Sequence, residues 1–232
     1  MLSRREGRTG ALCAIFGSVL LLVGTYLHPM GADPNQAVAA FTEYAADHLW
    51  VASHLTQLAG VASMAAALLF LAQQLATESG IGWARITAGG AIVNLAVATV
   101  LQAVDGVALK RMVDVWAAAP DAQKEGIFHA AFAVRQIEIG LASMLSLSSG
   151  LTITLYGGLL LAGNLYPKWI GGLAILGGLP TMIAGIVIAY TGFSEAAMSI
   201  NMPANSLLLV WMCILGGYMW SRGKVPAKDP TT

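Results

Sequence analysis

Leu49–Leu75 reads LWVASHLTQLAGVASMAAALLFLAQQL, a run without Asp, Glu, Lys or Arg and with one histidine, His54, near its start. A helix needs roughly 20 apolar residues to cross a bilayer, and this stretch is long enough. Backbone polar groups must find partners within the segment when no water is present, which selects helix. Five further stretches read the same way. The sequence therefore predicts an all-α integral membrane bundle of six transmembrane helices, a single domain over residues 1–232, with spans at about 11–27, 49–75, 86–108, 127–162, 169–191 and 205–220.

Composition supports that class. Of 232 residues, 57% are hydrophobic and 10% charged, and the mean hydropathy is +0.71. A soluble domain carries about 25% charged residues. The formal net charge is zero, which argues against a nucleic-acid partner. Cys13 and Cys213 both lie in apolar stretches, so a disulfide framework is not expected. Arg4, Arg5 and Arg8 precede the first apolar run in the manner of a secretory signal. That run ends in Tyr26-Leu27-His28-Pro29 without a small-x-small cleavage pattern, so it reads as a retained first span.

Six spans place both termini on one side. With the Glu78–Arg85 and Asn164–Lys168 connections, that side holds Arg4, Arg5, Arg8, Arg85, Lys168, Arg222, Lys224 and Lys228 against Glu6, Glu78 and Asp229. The remaining acids and four bases fall on the other side. An excess of Lys and Arg marks the cytoplasmic face, so both termini are expected in the cytoplasm of a bacterial cell and the chain in its inner membrane. Ser221-Arg222-Gly223-Lys224 reads as a stop at that interface. The outer connections are long. Asp33 with Pro34 is expected to start a short helix carrying Val38, Phe41, Ala45 and Leu49 on one face. Gly106 to Ala118 reads as a second outer helix, with Leu109, Met112, Val115 and Trp116 together. Such elements form a lid, a rim or simple interfacial packing. Pro180 is expected to kink the fifth span and Pro203 to mark the start of the sixth.

Ionisable groups inside these spans carry the functional reading, because they are costly in hydrocarbon. At 100° per residue, Glu43, Asp47, His54 and Gln57 share one sector, Asn94, Gln102 and Asp105 a second, and Glu125, His129 and Gln136 a third. Arg135 and Glu138 lie together on a different face of the fourth span. All fall toward the outer ends of their helices, and His28 ends the first span at that level. Turning the stripes toward one another gives an outward-facing polar pocket between the second, third and fourth spans, closed below by apolar side chains. The plainer readings are interhelical hydrogen bonds, a cap at Asp105, and an Arg135–Glu138 pair that only neutralises itself.

The pocket reading assigns candidate acid–base roles to His54, Asp105, His129 and Glu138. It assigns ligand contacts to Gln57, Gln102, Arg135, Gln136, His28 and Trp50. The expected partner is a lipophilic small molecule in contact with membrane lipid, and whether a reaction follows is left open. An alternative uses His54 and His129 to ligate haem iron or copper, although no H-x-x-x-H or H-E-x-x-H motif is present. A further alternative is an accessory subunit that meets a protein partner or a second copy of itself. No G-x-S-x-G, Walker loop or dinucleotide fingerprint occurs.

The stretch Leu165-Tyr166-Pro167-Lys168-Trp169-Ile170, followed by Gly171-Gly172-Leu173-Ala174-Ile175-Leu176-Gly177, resembles a bacterial multi-pass membrane protein family of unknown function, the domain-of-unknown-function 4386 type. Arg135-Gln136-Ile137-Glu138 resembles the Arg-x-x-Glu pair that such proteins carry in an apolar helix. The resemblance covers span count, length and the second half of the chain, and the His-bearing outer half departs from it. It implies a fold and a membrane location and no activity. On the residues themselves, Pro167 restrains Tyr166 from helix, Lys168 is expected at the headgroups and Trp169 at the interface.

Overall fold

A computed structural model describes residues 4–76 and 80–222 of the chain. Glu78 in the first inner connection and Gly223-Lys224 of the tail lie outside the described residues. Helices are α1 (Arg4–Leu27), α2 (Ala37–Ala46), α3 (Trp50–Leu75), α4 (Ile81–Gln102), α5 (Lys110–Ala118), α6 (Asp121–Ala162), α7 (Lys168–Thr191) and α8 (Glu195–Arg222), with a π-helical segment at Ala103–Leu109 joining α4 to α5. No strand occurs among the described residues. Six helical segments are long and apolar enough to cross a membrane.

The six spans form a closed ring in the order α1, α3, α4, α6, α7, α8, with α8 packed back on α1. Arg8 at the start of α1 lies 5.0 Å over the Trp220 ring near the end of α8, so both termini sit at one end of the bundle. The ring is drawn together by glycine. In the antiparallel pair α6–α7, a Cβ on Gly157 would fall 2.8 Å from the Gly171 carbonyl oxygen. One on Gly150 would fall 2.6 Å from that of Gly178, and Ser143 Oγ donates to the Gly185 carbonyl at 2.8 Å. Both helices step seven residues between successive contacts. The pair α1–α3 repeats the device: a Cβ on Gly17 would lie 2.8 Å from the Gly60 carbonyl, and one on Gly24 2.8 Å from that of Ser53. Lipid tails are as apolar as leucine, so close backbone approach rather than apolar burial drives such pairs together. Leu12, Phe16, Ile92, Val93, Leu176, Ile183 and Val210 are correspondingly exposed on the outside of the ring.

At the termini end the interior is filled by Leu71, Tyr156, Ile170, Trp211 and Leu215. Its polar atoms are paired across helices: Tyr156 hydroxyl donates to the Leu68 carbonyl at 2.8 Å and Trp211 Nε1 to that of Ile170 at 2.9 Å. The expected apolar floor is thus present. At the other end α2 and α5 pack on each other and on α3 and α6 through Phe41, Tyr44, Trp50, Leu109, Val113 and Trp116, forming a roof.

Several boundaries differ from the sequence expectation. Asp33 builds a turn rather than a helix start: its carboxylate accepts from Asn35 N at 2.9 Å, and α2 begins only at Ala37. Gly106–Ala118 is no separate surface helix, because the π segment carries α4 straight into α5. Pro203 lies inside α8, which starts eight residues earlier at Glu195 where Ser194 Oγ accepts from Ala197 N. A proline costs a helix least near its start, but neighbouring helices tolerate it further in. Lys168 is turned onto the carbonyls of Leu161 and Gly163 at the end of α6, where a cation meets the negative helix terminus.

In each adjacent glycine pair of the α6–α7 turn region, one residue is packed and its neighbour is open: Gly157 and Gly171 face backbone, Gly158 and Gly172 face nothing within 4 Å. We expect Gly157→Ala to destabilise the protein by about 1–3 kcal/mol through overpacking, while Gly158→Ala leaves thermal stability in detergent unchanged. Equal melting temperatures for the two variants would contradict the close-packed α6–α7 contact.

Candidate functional site

Beneath the roof, side chains from five elements meet. His28 follows α1, Tyr44 belongs to α2, Trp50 and His54 to the first turns of α3, Asp105 to the π segment, and Arg135 and Glu138 to α6. His54 is 2% exposed, Arg135 5% and Glu138 3%. The His28 ring centroid lies 4.7 Å from that of Trp50 and 5.0 Å from that of His54, and the Trp50 and Tyr44 centroids are 4.2 Å apart with the rings tilted by 40°. Asp105, Arg135, Glu138, Tyr44 and His28 are close enough to act on one another electrostatically.

The π segment is what brings Asp105 into place. A π turn widens the helix by one residue and frees a backbone carbonyl, and such bulges gather at functional sites. Here the Asp105 carbonyl accepts from Trp50 Nε1 at 3.0 Å, and the Asp105 carboxylate meets His54 Nε2 at 3.0 Å. Two side chains one turn apart on α3 thus hold the backbone and the carboxylate of a single residue. The contact needs glycine next door: a Cβ on Gly106 would stand 2.6 Å from His54 Cβ.

Hydrogen-bond accounting gives the state of the pair. His54 Nδ1 lies 2.7 Å from the Trp50 carbonyl oxygen, which only accepts, so Nδ1 carries hydrogen. The Nε2–Oδ2 contact then requires a proton of its own. It is held as an imidazolium–carboxylate pair or as a carboxylic acid donating to a neutral ring, and both forms have the same net charge. Asp105 Oδ1 is buried without a hydrogen-bond partner. His28 repeats the pattern, with Nδ1 2.8 Å from the Pro29 carbonyl. Burial pushes the His28 pKa down, helped by the neighbouring His54, so this ring is neutral near pH 7 and its Nε2 lone pair is free. Burial raises the Tyr44 hydroxyl to about 12, keeping it neutral as well.

The remaining predicted residues divide. Gln102 donates to Gln57 Oε1 at 3.1 Å, one helix turn below the His54–Asp105 pair. Arg135 is ion-paired to Glu138, donates to the Pro34 carbonyl at 3.4 Å, and lies 5.5 Å over the Tyr44 ring and 5.1 Å over that of Phe193. His129 is exposed on α6, with Phe128 as its ring neighbour, and does not join His54. The alternative His54–His129 pair for haem or copper is not supported, since His54 is buried and His129 is exposed. Glu125 and Gln136 are exposed with it, so the stripe expected to face inward faces out, and the Arg135–Glu138 face is buried instead. A guanidinium and a carboxylate cost more in hydrocarbon than an amide or a neutral imidazole, and α6 is rotated accordingly. Glu43 and Asp47 leave the expected α3 stripe because α2 ends at Ala46. Glu43 accepts from Gly31 N and Ala32 N and fastens the loop after α1.

At this end a cleft lies between α6, the end of α7 and the segment before α2. It encloses about 350 Å³ and is lined by Pro34, Phe132, Arg135, Gln136, Ile139 and Tyr190 among others. Residues that sequence reasoning undervalued are Tyr44, which covers the cluster, and Gly106, which admits it. In the sequence Asp105 carries both an acid–base reading and a helix-end reading, and Gly106 gives no sign of the approach it allows.

We expect Gly106→Ala to lower the melting temperature by several degrees, since the π segment must move away from α3, a cost of about 1–3 kcal/mol. Gly89→Ala, with nothing within 4 Å, serves as the control and should be neutral or slightly stabilising. Unaltered stability of Gly106→Ala would remove the argument for close apposition at His54. No protein-family model, curated protein or solved structure matches the chain, so its function rests on the geometry of this site.

Proposed function

We propose that this protein binds an amphiphilic small molecule at the edge of its bundle. The polar head of the ligand enters the cleft at Arg135 and its apolar part runs along the lipid-facing surfaces of α6 and α7. The observation that carries this reading is the double position of Arg135. Its side chain lines the cleft and also belongs to the buried ionisable cluster. Its Glu138 contact is firm, but its bond to the Pro34 carbonyl is long at 3.4 Å, so an oxygen of a ligand head replaces that partner at little cost. Gln136 adds an exposed amide at the same mouth, and Phe132, Ile139 and Tyr190 supply apolar wall. A few polar groups set in an otherwise apolar recess are the usual composition of a small-molecule site.

The side of the membrane follows from charge. Among the described residues Arg4, Arg5, Arg8, Arg85, Lys168 and Arg222 fall at the termini end and favour a cytoplasmic location for it, in the inner membrane of a bacterium. The roof, the cleft and the His54–Asp105 pair then face the outer compartment. Acid–base chemistry on a bound head would fall to Glu138, which pairs with Arg135, and to the His54–Asp105 pair. His129 stands outside that group.

Ile139→Trp tests the reading without removing a charge, because the indole fills the cleft. The protein should be extracted in mild detergent and analysed by native mass spectrometry and organic extraction. Wild type is expected to carry a defined amphiphile that Ile139→Trp and Gln136→Leu reduce at least several-fold, with circular dichroism unchanged. The same bound species in equal amount in wild type and Ile139→Trp would overturn the proposal, and so would a wild type with no more bound amphiphile than an unrelated six-span protein.

A further inference from the structure

We propose that His28, His54 and Asp105 form a binding site for a divalent first-row transition-metal ion, Zn²⁺ in the first instance. This inference stands apart from the cleft reading and survives its failure. Among the described residues these three make the one group whose ligand atoms, two imidazole nitrogens and a carboxylate oxygen, all lie within 4.8 Å of one another.

Three features of the site point to a metal rather than to a chance meeting of polar side chains. The first is the orientation of the rings. Both imidazoles are held through Nδ1 by a main-chain carbonyl, Trp50 at 2.7 Å and Pro29 at 2.8 Å. Metal-ligating histidines are ordinarily fixed in this way by a partner on the far nitrogen, which sets the tautomer and leaves the other lone pair for the ion. The second is spacing. His54 Nε2 and Asp105 Oδ2 are 3.0 Å apart. Two ligands each about 2.0–2.2 Å from one ion stand about 3–3.5 Å apart, so this edge of the site is already formed. The half-buried His28 ring, whose ligand nitrogen lies within 4.8 Å of the other two ligand atoms, closes the site by moving toward them.

The third feature is the unpaired oxygen. Asp105 Oδ1 is buried without a partner, a costly state for a carboxylate that a bidentate contact to a cation relieves. An incoming ion displaces the hydrogen of the His54–Asp105 contact: one M²⁺ enters, one proton leaves to solvent, and no group changes oxidation state.

The donor set limits the ion. Two imidazoles and a carboxylate are borderline ligands that suit Zn²⁺, Fe²⁺ or Cu²⁺ and disfavour Ca²⁺ and Mg²⁺, which take oxygen. Three protein residues, rather than the four of a structural site, are the complement of a reactive zinc site. The scaffold is pre-built, since Gly106 lets the π segment reach His54 and the Trp50 indole fixes the Asp105 backbone.

The test uses the full chain in detergent with its tag removed, stripped with EDTA and returned to Zn²⁺ alone. Elemental analysis after desalting is expected to give about one zinc per wild-type chain. His28→Ala and Asp105→Asn should weaken binding at least tenfold, whereas His48→Ala and His129→Ala, exposed histidines outside the cluster, should bind as wild type does. Zn²⁺ should also raise the melting temperature of wild type and of the two control variants but not of His28→Ala, which is the variant least exposed to misfolding because its ring is only half-buried. Cobalt substitution gives a second readout, with visible ligand-field bands that depend on His28. No zinc retained by wild type, or equal retention by wild type and a folded His28→Ala, overturns the proposal. Amphiphile retention measured on the same samples separates the two ideas: His28→Ala is expected to keep it and Ile139→Trp to keep the zinc.

Discussion

A buried guanidinium sets much of this architecture. Arg135 cannot face hydrocarbon without a penalty of several kcal/mol, and its partner Glu138 sits one turn away on the same face of α6. Burying both fixes the rotation of α6, which turns His129 and Gln136 outward. Once buried, the pair needs a polar neighbourhood. The aromatic rings of Tyr44 and Phe193, the Pro34 carbonyl and the field of Asp105 supply it. The roof helix α2 is therefore more than a connection, since it seals an ionisable cluster that would otherwise meet water on one side and lipid on the other.

The same cluster explains the π segment. An ideal α-helix through residues 103–109 has no spare carbonyl to offer Trp50, and Gly106 gives α3 and the segment joining α4 to α5 room to touch at His54. Sequence, backbone irregularity and site are thus linked in order. The glycine permits the approach, the π turn aims Asp105, and the histidine receives it with a proton in between. Elsewhere the bundle is held by repeated glycine contacts at seven-residue steps, a regular device that carries no chemistry. The irregular part of α4–α5 and the buried ionisable cluster coincide, a pairing common where a broken backbone pattern is kept for use.

How much of this was legible depends on what kind of force decides each feature. Six spans, their order and the apolar floor could be read from composition and run length, because the solvent imposes them segment by segment. The involvement of His28, His54, Asp105, Arg135 and Glu138 could be suspected because ionisable groups stand out in apolar runs. Their partners could not be read. The helical wheel gave α6 two candidate inner faces, and choosing between them required the cost of each face against its neighbours. The wheel also treated Glu43 and Asp47 as part of α3, because the short break at Asp47–Leu49 leaves the periodicity nearly intact. The contact of His28 with His54 is not readable, since nothing in a sequence shows that the end of α1 comes back against α3.

The amino-acid sequence alone determined that this chain is an all-helical bundle of six candidate spans with its polar groups gathered toward one end, because burial in an apolar solvent is a property of each segment by itself. Tertiary structure alone decided that His54 meets Asp105 and His28 rather than His129, and that the cleft opens between α6 and α7. Those outcomes depend on helix rotation and on backbone approach to within a few ångströms, and both are settled only when several helices compete for the same interior.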